Sequence, residues 1–335
     1  MGIKLPMKTL GIVPTLTMIA ALVAVSPRTA PAAGGEAVPG DAETVAPGDG
    51  ATTAAVLRLP RHDLALALVF VPAGPFLMGS PDGPDNERPI HQVTLDAFWI
   101  GRFEVTAGQY AVFLNAVGRD RTPDGILFLD TLWEGALIRR RPDGRFAPRD
   151  GFEDFPAVGI TWFGARAFCE WVAGESGLPV DLPTEAQWEK AARGGREVPD
   201  ERGGAGRIFP WGIRLNPTLA RYNAQQPTRV GRYPAGVSPY GAFDMAGNAA
   251  EWVRDWFDDQ YYSISPALNP TGPDGGTLKI LRGGDWSCQY VTLGQLRSTY
   301  RFPMNPRVGE LTMGFRVALN REAPPHAASH PNKPE

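Results

Sequence analysis

The chain has 335 residues, enough for two ordinary domains or one long, loop-rich one. Its 33 Lys and Arg face 36 Asp and Glu, a net charge of −3, so it has no basic field to hold nucleic acid or an anionic membrane face. With 39 Gly, 33 Pro and nine Trp, the composition is that of a packed domain with much irregular backbone rather than a disordered chain or a helical bundle. Of only four His, His326 and His330 lie in a Pro- and Ala-rich terminal stretch. A histidine-built iron or zinc centre would have to rest on His62 and His91 with carboxylates, and is not expected.

In chain order, residues 1–32 read as a secretory signal: Lys4 and Lys8, a mostly apolar stretch from Gly11 to Val25, then Ala30-Pro31-Ala32. The apolar stretch has 15 residues, short of the ~20 a spanning helix needs, so no stable membrane span is expected after cleavage. No Cys accompanies the cleavage region to carry a lipid, and no Arg pair precedes it. The expected destination is the periplasm or the exterior. Residues 33–60 are rich in Ala, Gly, Pro and Thr and are expected to be a flexible linker, and residues 321–335 a disordered tail. Folding is expected over 61–320.

Within that span, Leu66–Val71 and Phe76–Gly79 flank Pro72-Ala73-Gly74-Pro75 and predict two strands joined by a turn. Thr106 with Gln109 forms a capping box before Tyr110, Phe113, Leu114 and Val117, which share one helical face. Thr161 precedes Ala165, Phe168, Cys169 and Val172 in the same way. A third helix starts at Thr184 with Gln187, carries Trp188, Ala191 and Ala192, and stops at Gly194-Gly195. Beyond residue 195, turns at Pro210-Trp211-Gly212 and Gly283-Gly284 punctuate short strands, and no fixed-period repeat is visible.

One ordered series of segments runs through the domain: Phe70–Gly74 with Met78–Ser80, Glu104–Thr106, Leu182–Glu189, Ala192–Gly195, Phe209–Gly212, Met245–Trp252, Leu281–Gly284 and Gly314–Arg316. Over residues 64 to 320 it resembles the sulfatase-modifying-factor family, whose best-known member is the formylglycine-generating enzyme. The resemblance implies an α+β fold: a single compact C-type-lectin-like domain, expected to be a monomer, that meets a protein or peptide.

In that enzyme two cysteines five residues apart bind Cu(I) and convert a substrate cysteine to formylglycine. Here Cys288 matches the first, but Leu293 stands at the second, so a two-thiolate copper site is not expected. Cys288, the one catalytic candidate, has two readings. It is a reactive thiolate favoured by Arg282, Arg297 and Arg301, or a small buried residue. Cys169 reads as a core position, with a Cys169–Cys288 disulfide left open. The resemblance also implies a structural Ca²⁺ held by the side chains of Asp244 and Glu251 and the carbonyls of Gly247 and Ala249, with Asn248 or water completing the shell. Asn223 matches one ligand of a second family site whose acidic loop is shortened here. Asp255, Asp258 and Asp259 beside Trp252, Trp256, Tyr261 and Tyr262 read as scaffold rather than a carbohydrate or peptide platform, Arg139–Arg141 as a solvated face, and Asp82, Asp85, Asn86 and Glu87 as a polar loop without metal-ligand spacing; none is counted as a site. Two functions of different class follow: an exported oxidoreductase acting on a protein or peptide thiol, or a non-catalytic, calcium-stabilised lectin-like module that binds a protein or glycan.

Overall fold

Apolar alternation begins earlier in the chain than composition suggests. In the computed structural model, which describes residues 42–45, 53–131, 133–196, 206–289 and 294–320, Ala42–Val45 (β1) pairs antiparallel with Ala54–Leu59 (β2). β2 in turn pairs along its whole length with Leu64–Val71 (β3). Both early strands fall inside 33–60, the stretch expected to be a flexible linker. Ala55, Leu57 and Leu59 are buried while Arg58 is exposed, a period-two pattern that the surrounding Ala, Gly and Pro concealed. The folded domain therefore starts before residue 61. The expected signal (1–32) and tail (321–335) lie outside the described residues.

The expected turn at Pro72–Pro75 does not fold a hairpin. β3 stays in the first sheet, whereas Gly74–Met78 (β4) leaves it to pair with His91–Leu95 (β5). Phe98–Gly101 (β6), Val180–Asp181 (β9) and Ala318–Leu319 (β14) complete a six-stranded antiparallel sheet in the order β1-β2-β3-β6-β14-β9. Ile138–Arg140 (β7) and Phe146–Pro148 (β8) form a small hairpin on which Arg139 and Arg140 are exposed, in keeping with a solvated charge run. The second sheet joins Ala250–Trp256 (β10), Lys279–Arg282 (β11), Phe302–Met304 (β12) and Met313–Phe315 (β13) in the order β12-β11-β10-β13, and only its β10–β13 pair is parallel.

The helices begin where their caps place them. Thr106 Oγ1 accepts from Gln109 N and Gln109 Oε1 accepts from Thr106 N, starting Ala107–Val117 (α1), which ends at left-handed Gly118. Thr161 caps Trp162–Ser176 (α2), where Ala165, Phe168, Cys169 and Val172 are fully buried. Tyr110 and Phe113 of α1 meet Phe168 of α2 in one aromatic cluster against the first sheet. Truncating a ring such as Phe168 to Ala costs about 3–5 kcal/mol in a core of this kind. A second core joins Trp188 to β4, β5 and β10 through Phe76, Val93 and Val253. Its helix, Glu185–Arg193 (α3), is unusual because every residue is buried, including Glu185, Glu189, Lys190 and Arg193.

Candidate functional site

Charges cannot be buried singly, so the four ionic residues of α3 require partners from elsewhere in the fold. Arg282, the last residue of β11, donates to Glu185 and Glu189 at 2.7 Å each and to the carbonyl of Ser298 at 2.6 Å. Arg301 closes on both oxygens of Glu185, at 2.7 and 3.0 Å, and Arg193 reaches Glu189 at 2.9 Å. Burial alone pushes the Glu189 carboxyl up, but Arg282 and Arg193 outweigh it and hold the group below the ordinary carboxylate range. Lys190 is satisfied by the carbonyls of Pro72 and Gly74. The family-like segments 182–189, 192–195 and 281–284 thus meet as one ionic lattice beneath the second sheet.

From this lattice the chain turns through Gly283 and Gly284 into the Cys288 loop. At Gly284 φ is +65°, and a Cβ would lie 2.9 Å from the Gln295 carbonyl, so only glycine makes the turn without displacement. Cys288 is 4% exposed and packs against Phe209, Tyr222, Ala246 and Leu296. Its thiol donates to Gln295 Oε1 at 3.1 Å, and the sulfur accepts from Asp285 N at 3.4 Å. Burial first, then the Asp285 carboxylate, push this thiol up to about 12. The expectation that Arg282, Arg297 and Arg301 favour a thiolate is therefore corrected. Arg282 and Arg301 are held by Glu185 and Glu189, and Arg297 is held by Glu87 at 2.6 and 2.8 Å. Within the polar 82–87 loop, Glu87 is wholly buried to make that pair. Cys169 and Cys288 sit in different cores and both are free thiols, so the open possibility of a disulfide is not realised.

Copper does not fit this arrangement. The single thiol of the loop is buried, protonated and spent on an amide oxygen, and the position five residues on, where the second thiolate is needed, is Leu293, which lies outside the described residues. Beside the thiol, sharing Asp285 and Gln295 as walls, opens a cavity of about 330 Å³ floored by Leu281 and Met313 and flanked by Tyr300, Phe302 and Glu310.

The expected calcium residues gather next to Glu104, which sequence reasoning passed over although it opens the Glu104–Thr106 segment. Glu104 accepts from Ala249 N at 2.9 Å and from Asn248 Nδ2 at 2.8 Å. Asn248 Oδ1 also accepts from Thr228 N at 2.9 Å, which leaves this oxygen one lone pair. Asp244, in the left-handed region at φ 56°, accepts from Gly231 N at 2.6 Å. Gly247 passes so close to Arg221 that a Cβ would sit 2.4 Å from its carbonyl. Glu251 is bound bidentately by Arg316 at 2.6 Å and by Trp188 Nε1 at 2.9 Å. Three buried carboxylates, Glu104, Asp244 and Glu251, thus share the Arg316 cation. Burial, reinforced by the neighbouring carboxylates, raises Glu104 well above the ordinary range and lifts Asp244 to about 6. This surplus of buried negative charge and oxygen donors fits a hard cation, although Glu251 would have to share its carboxylate with Arg316. Among the described residues no three His, Cys, Asp or Glu side chains form a ready-made metal cage. Asn223 lies at φ 47°, and its N–H holds the Cys288 carbonyl at 2.8 Å.

Residues 55–321 match the Sulfatase-modifying factor enzyme 1-like domain. The chain belongs to this family. It is 33% identical to the formylglycine-generating enzyme of Streptomyces coelicolor, over 75% of this chain and 88% of that protein. It is 34% identical to the serine/threonine-protein kinase pkn1 of Chlamydia caviae over 75% of this chain, and it spans only 37% of that kinase's length. Among solved structures, PvdO from Pseudomonas aeruginosa superposes with a TM-score of 0.60 at 27% identity, covering 79% of this chain and 97% of PvdO. The α+β architecture with much irregular backbone is the one expected.

Proposed function

We propose that this chain is a peptide- or protein-binding member of the family that does not form formylglycine, and that its binding surface is the cavity beside Cys288. One observation carries the reading: the single cysteine of the loop is a buried thiol pushed up to about 12, hydrogen-bonded to Gln295, in a sequence with Leu293 where a second thiolate is required. A thiolate fraction that small at neutral pH does not support nucleophilic attack, and one thiol is short of the two thiolates of the family's copper site. It also argues against the alternative of an oxidoreductase working through Cys288 alone. Incubation of the purified protein with Cu(I) and a Cys-x-Pro-x-Arg peptide, followed by mass spectrometry, is expected to show no aldehyde. Robust aldehyde formation would refute the reading.

The proposal has two subsidiary parts. A structural Ca²⁺ held by Asp244, Glu251 and the carbonyls of Gly247 and Ala249 is supported by the surplus of buried carboxylates around Arg316. Its test is the melting temperature with and without calcium. Export, supported by the lysines, apolar stretch and small residues of 1–32, is tested by N-terminal sequencing of the mature protein, expected to begin near Ala33.

A further inference from the structure

Away from the Cys288 loop, a second cavity of about 290 Å³ opens where the link between β5 and β6, the start of α3, β10 and the residue after β14 meet. It shares no lining residue with the cavity beside Cys288. Two charged side chains of opposite sign line it, Asp96 and Arg254, and they form no ion pair with one another. Among the described residues the one ion pair of Arg254 is with Asp181, at 3.7 Å. That is too long for a hydrogen bond, and Asp181 is already engaged by Leu182 N at 2.7 Å and by Arg166 at 3.4 Å. The half-buried Arg254 guanidinium is thus left with unspent N–H donors among the described residues.

Asp96 is held by a reciprocal pair with a residue 173 positions away: its N–H donates to Asn269 Oδ1 at 2.9 Å, and Asn269 Nδ2 donates to Asp96 Oδ2 at 2.8 Å. Asn269 is itself fixed, with φ at 45° and its N–H on the Thr94 carbonyl at 2.9 Å. Asp96 Oδ1 accepts from no described residue. Two further polar side chains of the lining are more than nine-tenths buried, Gln187 at 9% exposed and Thr184 at 7%. Gln187 Nε2 gives one hydrogen to Asn320 Oδ1 at 2.6 Å and keeps the other. Thr184 Oγ1 accepts from Gln187 N, which leaves its own O–H free to donate.

A small anion would answer Arg254 and leave Asp96 bare, and a small cation would do the reverse. A molecule that carries both charges a few bonds apart answers both at no net charge. The guanidinium with two neutral donors matches the two oxygens of a carboxylate, and the spare Asp96 oxygen matches an ammonium. Leu95, Ala97 and Pro270 leave room only for a short apolar group, and the volume suits one amino acid rather than a peptide.

We propose that this cavity binds a free α-amino acid with a small aliphatic side chain. Arg254, Gln187 and Thr184 receive its carboxylate, and Asp96 receives its ammonium. The site is independent of the cavity beside Cys288 and of the peptide-binding reading.

The test is isothermal titration calorimetry on the full chain with L-alanine and L-valine, against propionate, which lacks the ammonium, and ethylamine, which lacks the carboxylate. At least one amino acid is expected to bind about tenfold more tightly than either single-charge probe. Arg254→Gln is expected to weaken amino-acid binding about tenfold. Asp96→Asn, which keeps an oxygen for Asn269, is expected to weaken it similarly while leaving propionate binding unchanged. Propionate binding as tight as the amino acids to the wild type overturns the proposal, because the cavity is then an anion site alone. Binding unchanged in both variants overturns it too, since the ligand then sits elsewhere. So does the absence of any heat with about 10 mM of either amino acid, for protein with a wild-type melting curve.

Discussion

Arg282 and Cys288 stand six residues apart on one continuous segment, yet they belong to regions of opposite physical character. Around Arg282 every charge is buried and answered: Glu185, Glu189, Arg193 and Arg301 close a lattice between α3 and the second sheet. Around Cys288 the thiol is neutral, its hydrogen bonds are to an amide side chain and a backbone N–H, and the adjoining cavity carries carboxylates with no basic residue among its described lining. The residues that make the chain recognisable as a family member are mostly the ones that fold it. Family chemistry has to be judged on the loop, where this sequence departs from the pattern.

The largest contrast should come from cutting the lattice. Arg282→Ala leaves Glu185 to Arg301 alone and Glu189 to Arg193 alone among the arginines, two buried carboxylates short of one cation, and is expected to cost about 3–5 kcal/mol in urea-induced unfolding. Cys288→Ala in the same segment should cost about 1 kcal/mol, the scale of a small buried apolar group. Similar costs for the two would erase the distinction between the regions.

Calcium sharpens the comparison on the other side of Trp188. A ligand that binds only the folded state stabilises by about 2.7 kcal/mol at a hundredfold excess over Kd, so the wild type should melt higher in calcium than in chelator. Asp244→Asn should remove most of that shift while keeping the left-handed backbone, which Asn tolerates. Glu251→Gln is the poorer probe, because it also breaks the pair with Arg316. Identical melting in calcium and chelator would mean that Arg316 alone stabilises the segment.

A gentler effect, spread over pH, is expected at Asp255, whose Oδ2 accepts the Glu185 N–H at the start of α3. Burial, then the Glu185 carboxylate, push it up to about 7. A carboxyl raised in the folded state binds its proton more tightly there than in the unfolded chain. Its contribution is therefore complete below about pH 4 and is lost as the pH rises toward 7. Asp255→Asn, which keeps the accepting oxygen, should flatten that part of the stability–pH profile. A profile unchanged by the substitution would show that Asp255 is ionised in the fold.

Much of this was readable in the residues themselves. The capping boxes at Thr106 and Thr184 and the apolar face of α2 are local signals, and the helices start where those signals say. What escaped is non-local or masked by composition. β2 is an alternating strand in an Ala-rich stretch. The partners of Arg282 lie 97 and 93 residues away, so proximity in sequence suggested that it serves Cys288 when it in fact serves α3. Glu104 was overlooked because its role is to receive Asn248 and Ala249, which are 144 and 145 residues distant.

The state of Cys288 tests the account most directly. Labelling both cysteines with ¹³C at Cβ, assigning the two signals with Cys169→Ala, and following the Cys288 signal by NMR against pH reports the thiol in the intact protein. The account predicts a protonated thiol with no titration up to about pH 10, consistent with a group pushed up to about 12. A titration between pH 6 and 9 would mean a thiolate near neutrality and would return Cys288 to the list of reactive groups.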